Sequence, residues 1–378
     1  MTRSLFVLSL LAICAGCSSA STSNDPVATT GPLVGDGEIA GQPEESNGAF
    51  GSAAGAPSAD APTAAGGSSK SGGASVGGDG SIQPGTLTAG VWDDNRNFDV
   101  FQGFRSDHAS EQGLATLADS DFLDAHQAAL GRTAAGPKQT LDIQIVIDTT
   151  GSMGDEIAYL NKEFDAMVST ISAKYPNAQQ HWSLVAYKDK HDEYIARWFD
   201  FRTDPTELHS KLATLTASGG GDFPESPEVA LGVAHRLSWR QDPGTARLLF
   251  WVADAPHHVE DADAMGASLR GVRDKGIHIY PVASSGIDKF TELTMRSAAQ
   301  VTGGRYVFLT DDSGVGGSHL VPSVPCFFVT KLNDAILRMV DIEMSGTYRE
   351  PAASELIRTG GDPQNGVCTV DTGTVKIY

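Results

Sequence analysis

What most restricts the fold of this chain is the alternation of short apolar runs with helical stripes between positions 139 and 345. Leu141-Asp142-Ile143-Gln144-Ile145-Val146-Ile147 has a strand pattern. Ile157, Leu160, Phe164, Met167, Val168 and Ile171 follow at three- and four-residue spacing, the stripe of an amphipathic helix. Residues 182–187 and 194–201 flank the polar turn 188–193 and read as a hairpin ending on an edge. Residues 247–253 are nearly continuous apolar sequence, as expected of a strand covered on both faces. Residues 277–283 and 305–309 read as further strands, and 205–215, 227–237, 262–275, 289–302 and 327–344 as helices. Such alternation predicts an α/β fold: a doubly wound, Rossmann-like, mostly parallel six-stranded sheet flanked by helices, with one antiparallel edge strand.

In open sheets of this kind, ligands sit at the carboxyl ends of strands near the point where strand order reverses. Three loops here carry oxygen ligands at such ends. Asp148, Thr150 and Ser152 place a carboxylate and two hydroxyls at alternate positions where the first strand meets its helix. Mg²⁺ takes oxygen ligands in near-octahedral geometry and keeps several waters, so a turn of this kind can hold it with a position left open. The second loop is Ser218-Gly219-Gly220-Gly221-Asp222-Phe223-Pro224-Glu225, and the third begins at Asp254.

The Asp-x-Thr-x-Ser stretch at 148–152 resembles the metal-ion-dependent adhesion site of the von Willebrand factor A family. The element order over 141–344 resembles that family too. The resemblance implies metal ligation by Asp148, Thr150, Ser152, Asp222 and Asp254. Asp222 stands where other members offer Thr, and Glu225 is close by. The Gly-Gly-Gly-Asp-x-Pro-Glu form resembles a subgroup found in hemicentin-like and alpha-kinase-associated proteins. The added carboxylates lower the net positive charge left to attract an acidic partner, so Ca²⁺ competes with Mg²⁺, and Mn²⁺ is a third choice.

Tyr187-Lys188-Asp189-Lys190-His191 resembles an element of the same subgroup, which implies Asp189 at the rim; a hairpin turn of solvated charges is the plain alternative. His257 and His258 join Glu225 and Asp189 as rim residues. With Glu260 and Asp261 the two histidines form a His/carboxylate cluster that a second, transition metal would suit. Their spacing matches no closed zinc set. There is no Gly-x-Ser-x-Gly elbow and no Gly-Lys-Ser/Thr phosphate loop, so no catalytic residue is assigned.

A net charge of −20 with no basic run excludes phosphate-backbone binding. Arg3 followed by apolar residues 5–13 reads as a secretory signal, too short to span a bilayer. Ala15-Gly16-Cys17 resembles a bacterial lipobox, which implies lipidation of Cys17 and, with Ser18 next, an outer-membrane lipoprotein facing the periplasm or the exterior. Of the four cysteines, Cys326 and Cys368 then remain for a disulfide in an oxidising compartment.

The organisation read from the sequence is thus a signal at 1–17, a disordered Gly/Ala/Ser/Pro-rich tether at 18–88, and an N-terminal extension at 89–139. The main domain spans 140–345 and a C-terminal β extension 346–378. The expected role is metal-dependent protein binding, as adhesion or complex assembly at the envelope. The alternatives are a metal-independent scaffold and an envelope hydrolase using the 257–261 cluster.

Overall fold

The computed structural model describes residues 31–42, 85–131, 136–364, 366–370 and 373–377. The expected signal and Cys17 lie outside the described residues, as does most of the expected tether. Among the described residues no helix is long and apolar enough to cross a membrane.

The sheet forms around β3 (Thr140–Asp148). Its odd positions Leu141, Ile143, Ile145 and Ile147 enter one apolar core and Val146 the other, as a pleated strand requires. On the first face lie α3 (Gly154–Lys174), α4 (Pro205–Leu212) and α8 (Leu332–Ser345). On the second lie α1 (Phe98–Asp107), α2 (Asp119–Gly131), α5 (Pro227–Ala234), α6 (Ala262–Asp274) and α7 (Lys289–Thr302). Parallel to β3 run β4 (Gln179–Tyr187) and β6 (Thr245–Ala253) on its two sides, then β7 (His278–Ala283) and β8 (Tyr306–Leu309). The α/β, doubly wound expectation is met.

The sheet is larger than expected, with ten strands in the order β1-β5-β4-β3-β6-β7-β8-β2-β9-β10. Antiparallel strands extend it at both ends rather than at one edge. β5 (Tyr194–Arg202) pairs with β4 and is itself covered by β1 (Gly37–Ala40), which falls in the stretch read as tether. At the other end β2 (Thr88–Trp92) inserts between β8 and β9 (Phe327–Lys331), with β10 (Arg358–Gly360) outside. Residues 327–331, expected to open the last helix, are therefore strand. Val329 and Thr330 are β-branched and find a ladder partner in β2, and α8 starts only at Leu332.

Beyond α8, β11 (Val367–Val370) and β12 (Gly373–Lys376) form a hairpin. The Cys326–Cys368 disulfide joins it to the start of β9. Asn97 clamps it further, accepting from Lys376 N–H at 2.9 Å and donating to Lys376 O at 3.0 Å. The N-terminal extension is tied in by buried Arg296 of α7, 2.6 Å from Asp94 and 3.3 Å from Glu292.

Candidate metal centre

Asp148 ends β3, and the next five residues make the turn into α3. Its Oδ1 accepts two hydrogen bonds from Thr150, from N–H and from Oγ1–H, each at 2.8 Å. Its Oδ2 is buried without a hydrogen-bond partner among the described residues. Thr149 points the other way, donating to Tyr187 O at 2.8 Å and pairing with Tyr194 Oη at 2.8 Å. Asp148 and Thr150 therefore share the site side, as alternation predicts. Asp148 does not cap α3, whose N-cap is Met153. Ser152 lies exposed on the same turn.

The glycine loop packs onto this turn. Ser218 N–H donates to Thr149 O at 3.1 Å and Gly151 N–H to Gly219 O at 3.2 Å. Gly219 and Gly220 have φ of 79° and 69°, a left-handed backbone that favours glycine. A Cβ on Gly220 would stand 2.9 Å from Glu225 Oε1 and 3.1 Å from Thr150 Cβ. The glycine thus lets Glu225 and Thr150 come together.

Glu225 is buried and anchored by its N–H to Pro256 O at 2.9 Å, and its Oε2 has no partner among the described residues. Asp222 is exposed. Glu225, placed by sequence at the rim, is the buried carboxylate of this loop, and it feels the charge of Asp148.

Asp254 follows β6 and is buried. Two further residues belong here that sequence reading missed. Glu156, in the first turn of α3, is buried with Oε2 unpartnered among the described residues; its Oε1 lies 3.4 Å from Ser285 Oγ. Lys188, on the turn whose alternative reading is solvated charges, is buried. It donates through Nζ to Thr149 O at 2.5 Å, to Ser218 O and to Ser218 Oγ at 3.1 Å, stitching the first two loops together.

The electrostatics are those of a site short of positive charge. Burial, then the charge of Asp254, raises the Asp148 carboxyl above its ordinary range. Burial, then the charges of Asp148, Asp189, Asp192 and Asp254, raises Glu225. Burial pushes Glu156 up to about 7, with Asp254 adding to the shift. Burial lowers Lys188, so this cation among the loops is itself costly to keep charged.

At the rim, His258 Nε2 lies 2.6 Å from Asp189 Oδ1, which also accepts from Ser226 Oγ at 3.2 Å. His257 turns away, donating from Nε2 to Gly113 O of the N-terminal extension at 2.8 Å. Lys190 takes Glu260 at 3.1 Å and Asp261 at 2.6 Å. The second-metal cluster read at 257–261 is therefore dispersed among other partners. Among the described residues no three His, Cys, Asp or Glu side chains are placed to share one ion, which leaves no closed carboxylate or zinc-type cage. What the donors suit is a hard cation held by few protein oxygens: one free oxygen each on Asp148 and Glu225, and the Thr150 hydroxyl that bonds Asp148.

Residues 142–315 match the family model described as von Willebrand factor A domain. This domain belongs to that family. Over 123 residues the chain is 32% identical to an ariadne-like RING finger protein of Acanthamoeba polyphaga mimivirus, covering 32% of this chain and 12% of that protein. It is 24% identical over 143 residues to alpha-protein kinase vwkA of Dictyostelium discoideum, covering 37% and 22%. It is 25% identical over 185 residues to the collagen alpha-6(VI) chain of Homo sapiens, covering 47% and 8%. The chain thus spans less than a quarter of the length of these relatives. Among solved structures, the conserved hypothetical protein BatB of Bacteroides thetaiotaomicron aligns with TM-score 0.37 and 13% identity, over 53% of this chain and 97% of that one.

Proposed function

We propose that this von Willebrand factor A domain is a protein-binding module whose site is completed by a divalent cation, displayed at a bacterial envelope by a lipid on Cys17. The observation that carries the reading is the pair of buried, unpartnered carboxylate oxygens on Asp148 and Glu225 beside Thr150. Burying such oxygens unpaired is unfavourable, and a cation offsets it. Asp148, Thr150 and Glu225 would hold the ion, with Ser152 and Asp254 adjoining. When bound, the ion supplies an open coordination position for an oxygen of a partner protein. The chain's own residues do the rest. Thr150 orients Asp148, Lys188 fixes the two loops, and Gly220 admits Glu225. Mg²⁺ is the first choice, with Ca²⁺ and Mn²⁺ as the alternatives.

Calorimetric titration of each ion into chelator-stripped protein tests this. Saturable binding that disappears in Asp148→Ala and Glu225→Gln, but persists in Asp222→Asn, is the expected result. Binding that survives Asp148→Ala would sink the reading. One observation favours a second reading, a metal-independent scaffold: the buried Lys188 ammonium already brings a positive charge to these loops. That reading expects no ion binding in any of the proteins and partner capture indifferent to chelators.

A further inference from the structure

Residues 33–42 run along the outer edge of β5 and beyond it. Leu33 N–H donates to Arg236 O at 2.9 Å, Gly35 N–H to Asp200 Oδ2 at 2.9 Å, and Trp198 Nε1–H to Gly35 O at 3.0 Å. Glu38 pairs with Arg197 at 2.5 Å and Asp36 with Arg202 at 2.7 Å. Past β1, Gln42 N–H donates to Lys190 O and His191 Nδ1 lies by Gln42 O, both at 2.9 Å, so this end sits on the β4–β5 turn.

Two contacts here tolerate no side chain. A Cβ on Gly37 would stand 2.3 Å from the Trp198 indole, and a Cβ on Gly41 1.7 Å from Asp192 O. Asp192 is where the segment meets the candidate site. Its Oδ2 accepts from Gly220 N–H at 2.9 Å and from Asp189 N–H at 3.2 Å. A Cβ on Gly219 would stand 2.1 Å from its Oδ1. Gly220 in turn backs onto Thr150 and Glu225. Contacts are therefore continuous from Gly41 through Asp192 to the two residues that frame the cation position.

We propose that residues 33–42 are a strap that seats the 188–193 turn, and that Asp192 is the positioning residue through which the seated strap holds the Gly219–Gly220 loop in its site-forming arrangement. The inference rests on the cation-site reading only for its functional consequence; the mechanical coupling stands without it. The strap is suited to release. It is a short edge element whose apolar anchors, Leu33 and Ile39, are only partly buried. Residues 43–87 separate it in sequence from β2, which lies seven places away in the strand order. Elements of this kind open with less free energy than the whole domain. Unseating the strap frees the turn, loosens the glycine loop and weakens the cation position.

Hydrogen exchange of the full chain, kept in chelator, tests the coupling. Gly41→Val is expected to raise exchange about tenfold both in 33–42 and in 215–224. A Glu38→Cys, Arg197→Cys cross-link joins residues that face each other in the β1–β5 register and is expected to lower both. Asp192→Asn is expected to raise exchange at 215–224 while 33–42 stays protected, which separates lost coupling from lost folding. Faster exchange at 33–42 in Gly41→Val with 215–224 unmoved would overturn the proposal and leave the strap an edge cover. Unchanged exchange at 33–42 would overturn it too. Coupled exchange in a protein that binds no Mg²⁺, Ca²⁺ or Mn²⁺ would sink the cation-site reading and leave the strap standing.

Discussion

His258 Nε2 lies 2.6 Å from Asp189 Oδ1, joining the loop after β6 to the β4–β5 turn across the mouth of the site. The hydrogen bond that His258 donates to Asp189 raises the His258 pKa above its ordinary value. Burial pushes Asp189 up, but hydrogen bonds led by His258 outweigh it and leave the carboxyl lowered. A raised histidine stabilises fully below its unfolded pKa of about 6.5 and loses that contribution as pH rises through the folded value. The lowered Asp189 contributes above about pH 4 and loses its contribution as pH falls. His258→Gln is therefore expected to cost on the order of 1 kcal/mol near pH 6 and less near pH 8.5, measured by urea unfolding. A cost that does not change with pH would mean the bond never depends on the imidazolium.

His257 behaves in the opposite sense. It is fully buried and donates to Gly113 O, and burial lowers its pKa to about 4. The unfolded chain takes up a proton near pH 6.5 while the folded one does not, so stability falls as pH drops from about 6.5 to about 4. At about 1.4 kcal/mol per pKa unit the loss is roughly 3 kcal/mol. His257→Gln keeps a donor for Gly113 O without titrating, so it is expected to gain roughly that amount on wild type between pH 7 and pH 4. Parallel curves for the two proteins would show that His257 does not stay neutral.

The carboxylates of the candidate centre carry a third pH signature. Their folded pKa values are raised, so in chelator their contribution is present below about pH 4 and lost as pH rises through the folded values. Asp148→Asn, which can still accept from Thr150, is expected to stabilise the chelated protein near pH 8 by on the order of 2 kcal/mol. Cation affinity requires deprotonated ligands, so in wild type it is expected to rise from about pH 5.5 to about pH 8. Calorimetry at several pH values reads both effects. An affinity flat with pH would show that the ion, if bound, does not sit on these carboxyls.

Asp148 and Thr150 are legible in the sequence because strand alternation and the turn into α3 are local. Asp254 is legible as the residue after an apolar run. Glu225 and Asp222 cannot be ranked from sequence. The burial of Glu225 depends on left-handed backbone at Gly219 and Gly220 and on the Glu225 N–H bond to Pro256 O, a contact set by tertiary packing. The role of Lys188 is missed for the same reason, since nothing local shows that a charged turn residue lies beneath two other loops. The strands β1, β2 and β9 escape notice because each is short and antiparallel and gains its pairing from distant chain. Propensity alone does not report such pairings.

Arg338 gives a last prediction, of stability rather than function. Its side chain is on α8 with 7% exposure, and Nε, Nη1 and Nη2 have no hydrogen-bond partner among the described residues. Burial pulls its pKa down to about 10, opposed by Tyr348 and Glu355. A base whose folded pKa is lowered destabilises the fold at any pH below that value. From about pH 6 to about pH 9 the penalty is constant, unlike those of His257 and His258. Replacing a buried unpaired charge with an apolar chain of similar length removes it. Arg338→Met is therefore expected to stabilise the protein by about 1–3 kcal/mol, several degrees in Tm, by the same amount at either end of that range. A destabilised variant would mean that the guanidinium finds an acceptor in solution. Glu355 and Asp334, the carboxylates whose charges it already feels, would then be the residues to replace next.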